Sequence, residues 1–522
     1  MAEDRTSKVP FTQFPTDLFE QRAALESNEL LNRMKQSRKA FADPHRPQYH
    51  YVNPEGRLND PNGLCYWKDH WHLFYQAYPP EDPRQHWGHA ISRDLIHWED
   101  LPYCIYPNPE DKCYSGATLV EDDRVIAMYH GTQAGNMVAL SSDPLLLNWE
   151  KVGNRPVIPM PDGDAPYNVF DPCIWNSGGK YYSLSAGQTN DGPGGQHVAA
   201  DYLFESENLR DWRYLHPFIE GDRYTRIGDD GACPYFWPIG DKHILLFFSH
   251  SSGGQYLLGD YDEDRQKFVV TFGEKFNFGP PGPGGVHAPS ATPLGDGSVI
   301  VIFNMNPAKQ ADGWNQIMSL PRQLTLAEGG NDILVKPAGD IESLRGDVTE
   351  LNAFTLPANR EIRIHEISGA PDDGLEGNAY ELQVDIQPSD ASMVELCVLQ
   401  SPQKEEFTRV SVYRGRGYPD RASYIRKNQT SFVTIDNSYS SVDPGVRCRA
   451  PETLEVHIEP DEPLQLRVFV DRSIVEVFVN DRKAVALRVY PSRSDSVGIS
   501  LRSQGSETEI SQLKFWPLGS IY

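Results

Sequence analysis

NDPNGLCYWKDHWHLFYQ, residues 59–76, sets the pattern for most of the chain. It opens on a small or acidic residue, runs into an apolar strand, turns on polar residues and returns as a second apolar strand. Four more segments keep that shape: YSGATLVEDDRVIAMYHG (114–131), FDPCIWNSGGKYYSLSAG (170–187), ACPYFWPIGDKHILLFFS (232–249) and HAPSATPLGDGSVIVIFN (287–304). Their starts lie 55, 56, 62 and 55 residues apart. A recurring unit of about 50–60 residues built from some four strands is one blade of a propeller, and five such units close a ring. Three repeats are followed by a matching edge element: SRDLIHWEDL (92–101), SDPLLLNWEKV (142–152) and SENLRDWRYL (206–215). Residues 46–335 therefore read as a five-bladed β-propeller.

Residues 336–370 are mixed and polar and read as a linker, and 371–522 carry long alternating strands with no helix between them. Leu466, Val468 and Val470, then Val475, Val477 and Val479, share one face. Such strands imply a two-sheet β-sandwich, which braces its neighbour or binds sugar, since carboxylates are not concentrated there. Ahead of the propeller, residues 1–45 form a short N-terminal extension. Leu18, Leu25, Leu30, Leu31, Met34 and Phe41 recur at helical spacing, which predicts one helix over 16–41, capped by Thr16 and stopped by Pro44. The fold class is all-β: a propeller, then a sandwich, with a helical brace.

The chain has 522 residues and a net charge of −25, which argues against a nucleic-acid partner. It holds no apolar run long enough to span a bilayer, and no leader-like start. The expected compartment is the cytoplasm, or the exterior if a leader has been removed. Seven cysteines without a CxxC pair argue against a disulfide framework and a structural zinc site. His70, His72, His86, His89 and His97 cluster in sequence, but strand alternation and the intervening loop are expected to scatter them. No metal or organic cofactor is expected. Gly279–Gly285 reads as a loop, with neither the helix nor the Lys-Ser/Thr pair of a phosphate cradle. Asn428–Thr430 fits a glycosylation acceptor and reads as a loop. The acidic surface and sandwich edge permit a homodimer.

In a propeller the innermost strand of each blade lines the central funnel. Aligning the repeats brings Asp60, Ser115, Asp171, Ala232 and His287 or Ala288 to one end of it. Asp60 and Asp171 each precede a proline, which holds them extended. Asn59, Gln76, Trp67, Trp87, His89, Tyr114, Ser115, Trp237 and Trp314 surround them in the aligned repeats. Aromatic planes beside polar groups suit sugars, and paired carboxylates there point to glycoside hydrolysis. An isolated Asp-Pro makes a turn and no more; two at the same phase of five repeats are expected to share a pocket.

RLNDPNGLCYW (57–67), FYQ (74–76), HWGHAIS (86–92), YSG (114–116), VFDPCIW (169–175), GACPYF (231–236) and LRVFVDRSIVEVFVN (466–480) resemble the invertases and fructan hydrolases of glycoside hydrolase family 32. The resemblance runs from about residue 48 to the C-terminus and also implies the propeller-plus-sandwich architecture. It implies retaining cleavage of β-fructofuranosides such as sucrose, fructo-oligosaccharides, inulin or levan. Asp60 would be the nucleophile and Asp171 the transition-state stabiliser. Asn59, Gln76, Trp87, Tyr114, Ser115 and Phe170 would line the fructose subsite.

Two positions depart from the family pattern. Phe170 replaces the arginine of Arg-Asp-Pro, which removes a cation from the pocket. Ala232 replaces the glutamate of Glu-Cys, the acid/base. An alanine can neither protonate a leaving group nor activate water, so the chain as written is expected to be severely impaired. Three readings stand: a Glu→Ala change disabling an otherwise intact site, transfer of the role to Asp229 or Asp230, or a non-catalytic sugar-binding protein. Fructosyl transfer to another sugar is a close variant. A five-bladed glycosidase acting on arabinofuranosides would share the paired acids but not the match over 466–480.

Overall fold

The structure is a computed structural model that describes residues 5–279, 281–371, 375–417 and 430–522. Asn428 and Pro280 lie outside the described residues. Five antiparallel-rich sheets follow one another along the chain, with inner strands Arg57–Trp67, Cys113–Val120, Pro172–Ser177, Ala232–Ile239 and Val286–Pro293. Each inner strand packs on the next, and the fifth contacts the first, so the ring closes. Cross-blade hydrogen bonds hold the centre. The Tyr235 hydroxyl donates to Gly116 O at 2.9 Å and accepts from Gly63 N at 3.0 Å, while Leu64 N donates to Ser290 Oγ at 2.9 Å.

One local irregularity repeats around the ring and positions the site. The ladder between the first two strands slips at Leu58/Pro61, Cys113/Gly116, Ala232/Tyr235 and Val286/Pro289. Proline has no N–H for the ladder, so Pro61, Pro234 and Pro289 each break pairing at the same end of an inner strand. In blade 3, Pro172 starts the strand. Blade 2 uses Gly116, where an added Cβ would lie 2.2 Å from Met128 O. The residues preceding these positions are Asp60, Ser115, Asp171, Cys233 and Ala288. The equivalent of the two aspartates in blade 4 is thus Cys233; Ala232 lies one residue earlier, in phase with Asn59, Phe170 and His287.

The sandwich follows as a seven-stranded and a six-stranded sheet enclosing their own apolar core. The expected linker is shorter than 336–370. Thr349–Leu351 and Phe354–Leu356 join one sheet and Glu361–Arg363 the other. The predicted single helix is two, α1 (Leu18–Glu26) and α2 (Glu29–Ala40). Asp17, not Thr16, caps the first, and the Asn28 side chain accepts from Leu31 N to start the second. Among the described residues, no helix is long and apolar enough to cross a membrane.

Candidate active site

Asp60 and Asp171 meet at the funnel mouth, both buried. The Cys233 thiol bridges them, its Sγ 3.4 Å from Asp171 Oδ2 and 3.7 Å from Asp60 Oδ2. Cys233 N also donates to Asp171 Oδ2 at 3.1 Å, from a backbone with φ of 53°. Asp60 Oδ2 accepts from Ser115 Oγ at 2.7 Å and Gln76 Nε2 at 3.1 Å. His287 Nδ1 lies 3.1 Å from Asp60 Oδ1. Asn59 continues the network: its Nδ2 donates to Gln76 Oε1 at 3.2 Å and its Oδ1 accepts from Gln316 Nε2 at 2.8 Å.

These surroundings separate the two carboxyls. Burial pushes both towards the neutral acid, but for Asp60 the His287 hydrogen bond and charge and the Ser115 hydroxyl outweigh it, so its pKa falls. Burial first, and the Asp60 charge second, raise Asp171 to about 7. One carboxyl is a ready anion while its neighbour keeps a proton far longer. Such a split marks distinct chemical roles for two like groups.

Ala232 fills the expected acid/base position with a methyl group, packed against Cys233, Phe248 and Ala288 with Phe170 alongside. Asp229 has not taken over. It is fully buried as a loop clamp, accepting from Ser249 Oγ (2.7 Å), Ser252 Oγ (2.6 Å) and Arg226 N (2.6 Å). Asp230 instead lines a cavity of about 320 Å³ with Phe170, Asn168 and Gln188. It accepts from His250 N at 3.1 Å, and His250 Nδ1 lies 2.6 Å from its Oδ2. This contact raises the His250 pKa, with Asp60 and Asp171 adding to the effect. The His250 ring sits 5.1 Å from Phe248 and 6.3 Å from His287, centroid to centroid.

The tryptophans do not form a sugar platform. Trp67, Trp87, Trp237 and Trp314 are all buried. Their indole N–H groups donate to Asp143 O, Tyr114 O, Ala291 O and the Asp43 carboxylate respectively. Trp87 therefore supports the strand carrying Tyr114 and Ser115 rather than lining the pocket. Tyr114 and Phe170 are the part-exposed aromatics, with Phe170 against His130 at 5.2 Å. His72 and His89, expected to be scattered, in fact touch at 3.0 Å across paired strands. Burial holds both well below the usual imidazole range, His72 at about 3, so they form a neutral core pair. Among the described residues no group of three or more potential ligands could hold a metal ion.

Asn304, Gln316, His250 and Cys233 join the site without having stood out in the sequence. The Pro after Cys233 was the available signal for the last; the others lie on second strands and loops outside the repeat phase.

Two family models match the chain: the glycosyl hydrolases family 32 N-terminal domain over residues 50–337 and the family 32 C-terminal domain over 340–517. The chain belongs to glycosyl hydrolase family 32. This excludes the arabinofuranoside alternative as a family assignment. The family 32 chain is 26% identical over 529 residues to the levanase of Bacillus subtilis, covering 92% of this chain and 72% of the levanase. It is 27% identical over 505 residues to a sucrose-6-phosphate hydrolase of Zymomonas mobilis, covering 87% and 88%. Fructan 1-exohydrolase IIa from Cichorium intybus shares the fold, with a TM-score of 0.79 at 20% identity over 92% of this chain and 98% of that one.

Proposed function

We propose that this family 32 enzyme cleaves β-fructofuranosides with retention. Asp60 attacks the anomeric carbon, and Asp171 steadies the positive charge that develops on the fructosyl ring. The supporting observation is one pocket in which an anionic Asp60 lies beside a carboxyl whose proton is held to about pH 7. Asn59, Gln76, Tyr114, Ser115 and Phe170 supply the surrounding fructose contacts. The substrates are fructose-ended sugars: sucrose, fructo-oligosaccharides, or inulin- or levan-type chains. Relatives bear the names levanase, sucrose-6-phosphate hydrolase and, in Beta vulgaris, fructan 6-exohydrolase. Transfer to a sugar acceptor follows the same first half-reaction.

The methyl group at 232 leaves the leaving-group oxygen without the usual acid. The Asp230–His250 pair beside it is the proposed source of the proton. His250 Nε2–H protonates the glycosidic oxygen as the carbon–oxygen bond breaks and Asp60 bonds to the sugar. The neutral ring then takes a proton from water as water displaces Asp60. Proton transfer by a well-placed group contributes about 10²–10⁴-fold, so a less well-placed donor leaves cleavage slow.

Released fructose, measured with sucrose, inulin and levan oligosaccharides, tests this reading. Ala232→Glu is expected to raise turnover by about 10²–10⁴-fold, and Asp60→Ala to abolish it in either background. Fructoside binding without turnover in both forms favours the second reading, a non-catalytic sugar binder, which the bare methyl at 232 supports. Neither binding nor turnover rejects both.

A further inference from the structure

A cavity of about 510 Å³, lined by neither Asp60 nor Asp171, lies where α2, the segment entering blade 1 and the sandwich come together. Lys35, Arg38, Lys39, Phe41, Arg46 and Arg472 line it. In a chain of net charge −25 this is an unusual gathering of cations. The two acids at its wall are already engaged. Asp100 accepts from Arg38 Nε at 2.7 Å and Nη2 at 2.6 Å, and Glu99 pairs with Arg22 at 2.7 Å. Among the described residues no carboxylate pairs with Lys35, Lys39, Arg46 or Arg472.

Arg46 carries the argument. The residue is only 6% exposed and its guanidinium lies over the Phe41 ring, 4.4 Å from the centroid. One hydrogen bond holds it, from Nη2 to Asn53 O at 2.9 Å; its other N–H groups have no protein partner among the described residues. Burial and the nearby Arg38 charge pull its pKa down to about 10. A buried cation without a paired carboxylate is costly, and the fold retains it here beside Arg472 and the exposed Lys35 and Lys39. Arg472 Nη1 donates to Arg46 O at 2.8 Å, which fixes the backbone that presents it.

We propose that this cavity binds a small phosphate monoester. A phosphate dianion matches an excess of several positive charges better than one carboxylate does. The planar guanidinium fork of Arg46 fits two phosphate oxygens, and the lysines add point charges. The volume falls within the range of small-molecule sites and exceeds what a bare phosphate fills. Phe41 and Pro47 give the organic portion an apolar wall. The site stands independently of the fructosidase reading.

Titration calorimetry of the full chain, with inorganic phosphate and glucose 6-phosphate as probes at constant ionic strength, tests it. Both are expected to bind one-to-one and to compete. Arg46→Gln should weaken both at least tenfold, and its unliganded form should be no less heat-stable, because a buried charge has gone. The double variant Lys35→Gln/Lys39→Gln, at exposed positions that leave folding intact, should weaken both severalfold; it decides the matter if Arg46→Gln fails to fold. Absence of binding at millimolar probe, or affinities unchanged in the variants, would overturn the site. Phosphate binding that the sugar phosphate does not compete with would overturn the monoester assignment.

Discussion

At the scale of single residues, the Asp60–Asp171 pair combines function with a cost to stability. Asp171 in the folded protein titrates near 7, against an ordinary value of 3.8. Because the folded value is raised, its favourable contribution is complete below the ordinary pKa and is lost as pH rises through about 7. At pH 8 the folded protein carries a buried second negative charge, and each tenfold change in proton affinity corresponds to about 1.4 kcal/mol. Asp171→Asn should therefore raise stability at pH 8 by about 1–4 kcal/mol. The gain should shrink towards pH 5, as read by thermal unfolding at the two values, while turnover is lost. His250 makes a second test. β-Fructosyl fluoride needs no protonation of its leaving group, so His250→Gln should leave its cleavage near wild type and cut sucrose cleavage about 10²-fold or more. Equal losses on both substrates would remove His250 from proton delivery. Both aspartates were legible in the sequence because a proline follows each at a repeated phase. His250 was not, since its proposed role rests on a carboxylate 20 residues earlier, Asp230, that no repeat marks.

At the scale of elements, the repeat and its turns were readable because each blade restates the same strand–turn–strand chemistry. The exact phase was not. Aligning Ala232 with Asp60 places blade 4 one residue out; the broken ladder at Pro234, which follows Cys233 as Pro61 follows Asp60, makes Cys233 the equivalent. Short strands such as Thr349–Leu351 escape periodicity altogether, so their segment passes for a linker. The helical brace fails differently: its apolar spacing runs from Leu25 through Leu30, Leu31 and Met34 across a break that polarity does not mark. Asn28 makes that break by trading its place in a helix interior for a cap on Leu31 N at 2.9 Å. Asn28→Ala should cost about 1 kcal/mol, seen as a lower thermal midpoint. The same substitution at exposed Asn32, inside α2, should be close to neutral.

Across the whole molecule, the most distinctive stretch of the sandwich turns out to join it to the propeller. Asp471 accepts from Gln48 N, Tyr49 N and His50 N at 2.9–3.0 Å, and His50 Nδ1 lies 2.9 Å from it. Glu476 accepts from Leu320 N and Arg322 Nη2, both at 2.8 Å, and lies 3.2 Å from His50 Nε2. All four side chains are fully buried. Burial works against the imidazolium, yet the hydrogen bonds it donates to Asp471 and Glu476 outweigh it and raise the His50 pKa. The polar contact between sandwich and propeller is thus built by Asp471 and Glu476 of DRSIVEVFVN. Glu476→Ala strands Arg322 as a buried cation on the propeller side and leaves His50 with Asp471 alone, a loss of about 3–5 kcal/mol. Denaturant unfolding should show it, with the fluorescence of the propeller tryptophans and the far-ultraviolet signal no longer coinciding once the two cores separate. Glu476→Gln keeps the acceptor for Leu320 N and should lose less. Equal stability of Glu476→Ala and wild type would mean that apolar contact alone holds the two units together.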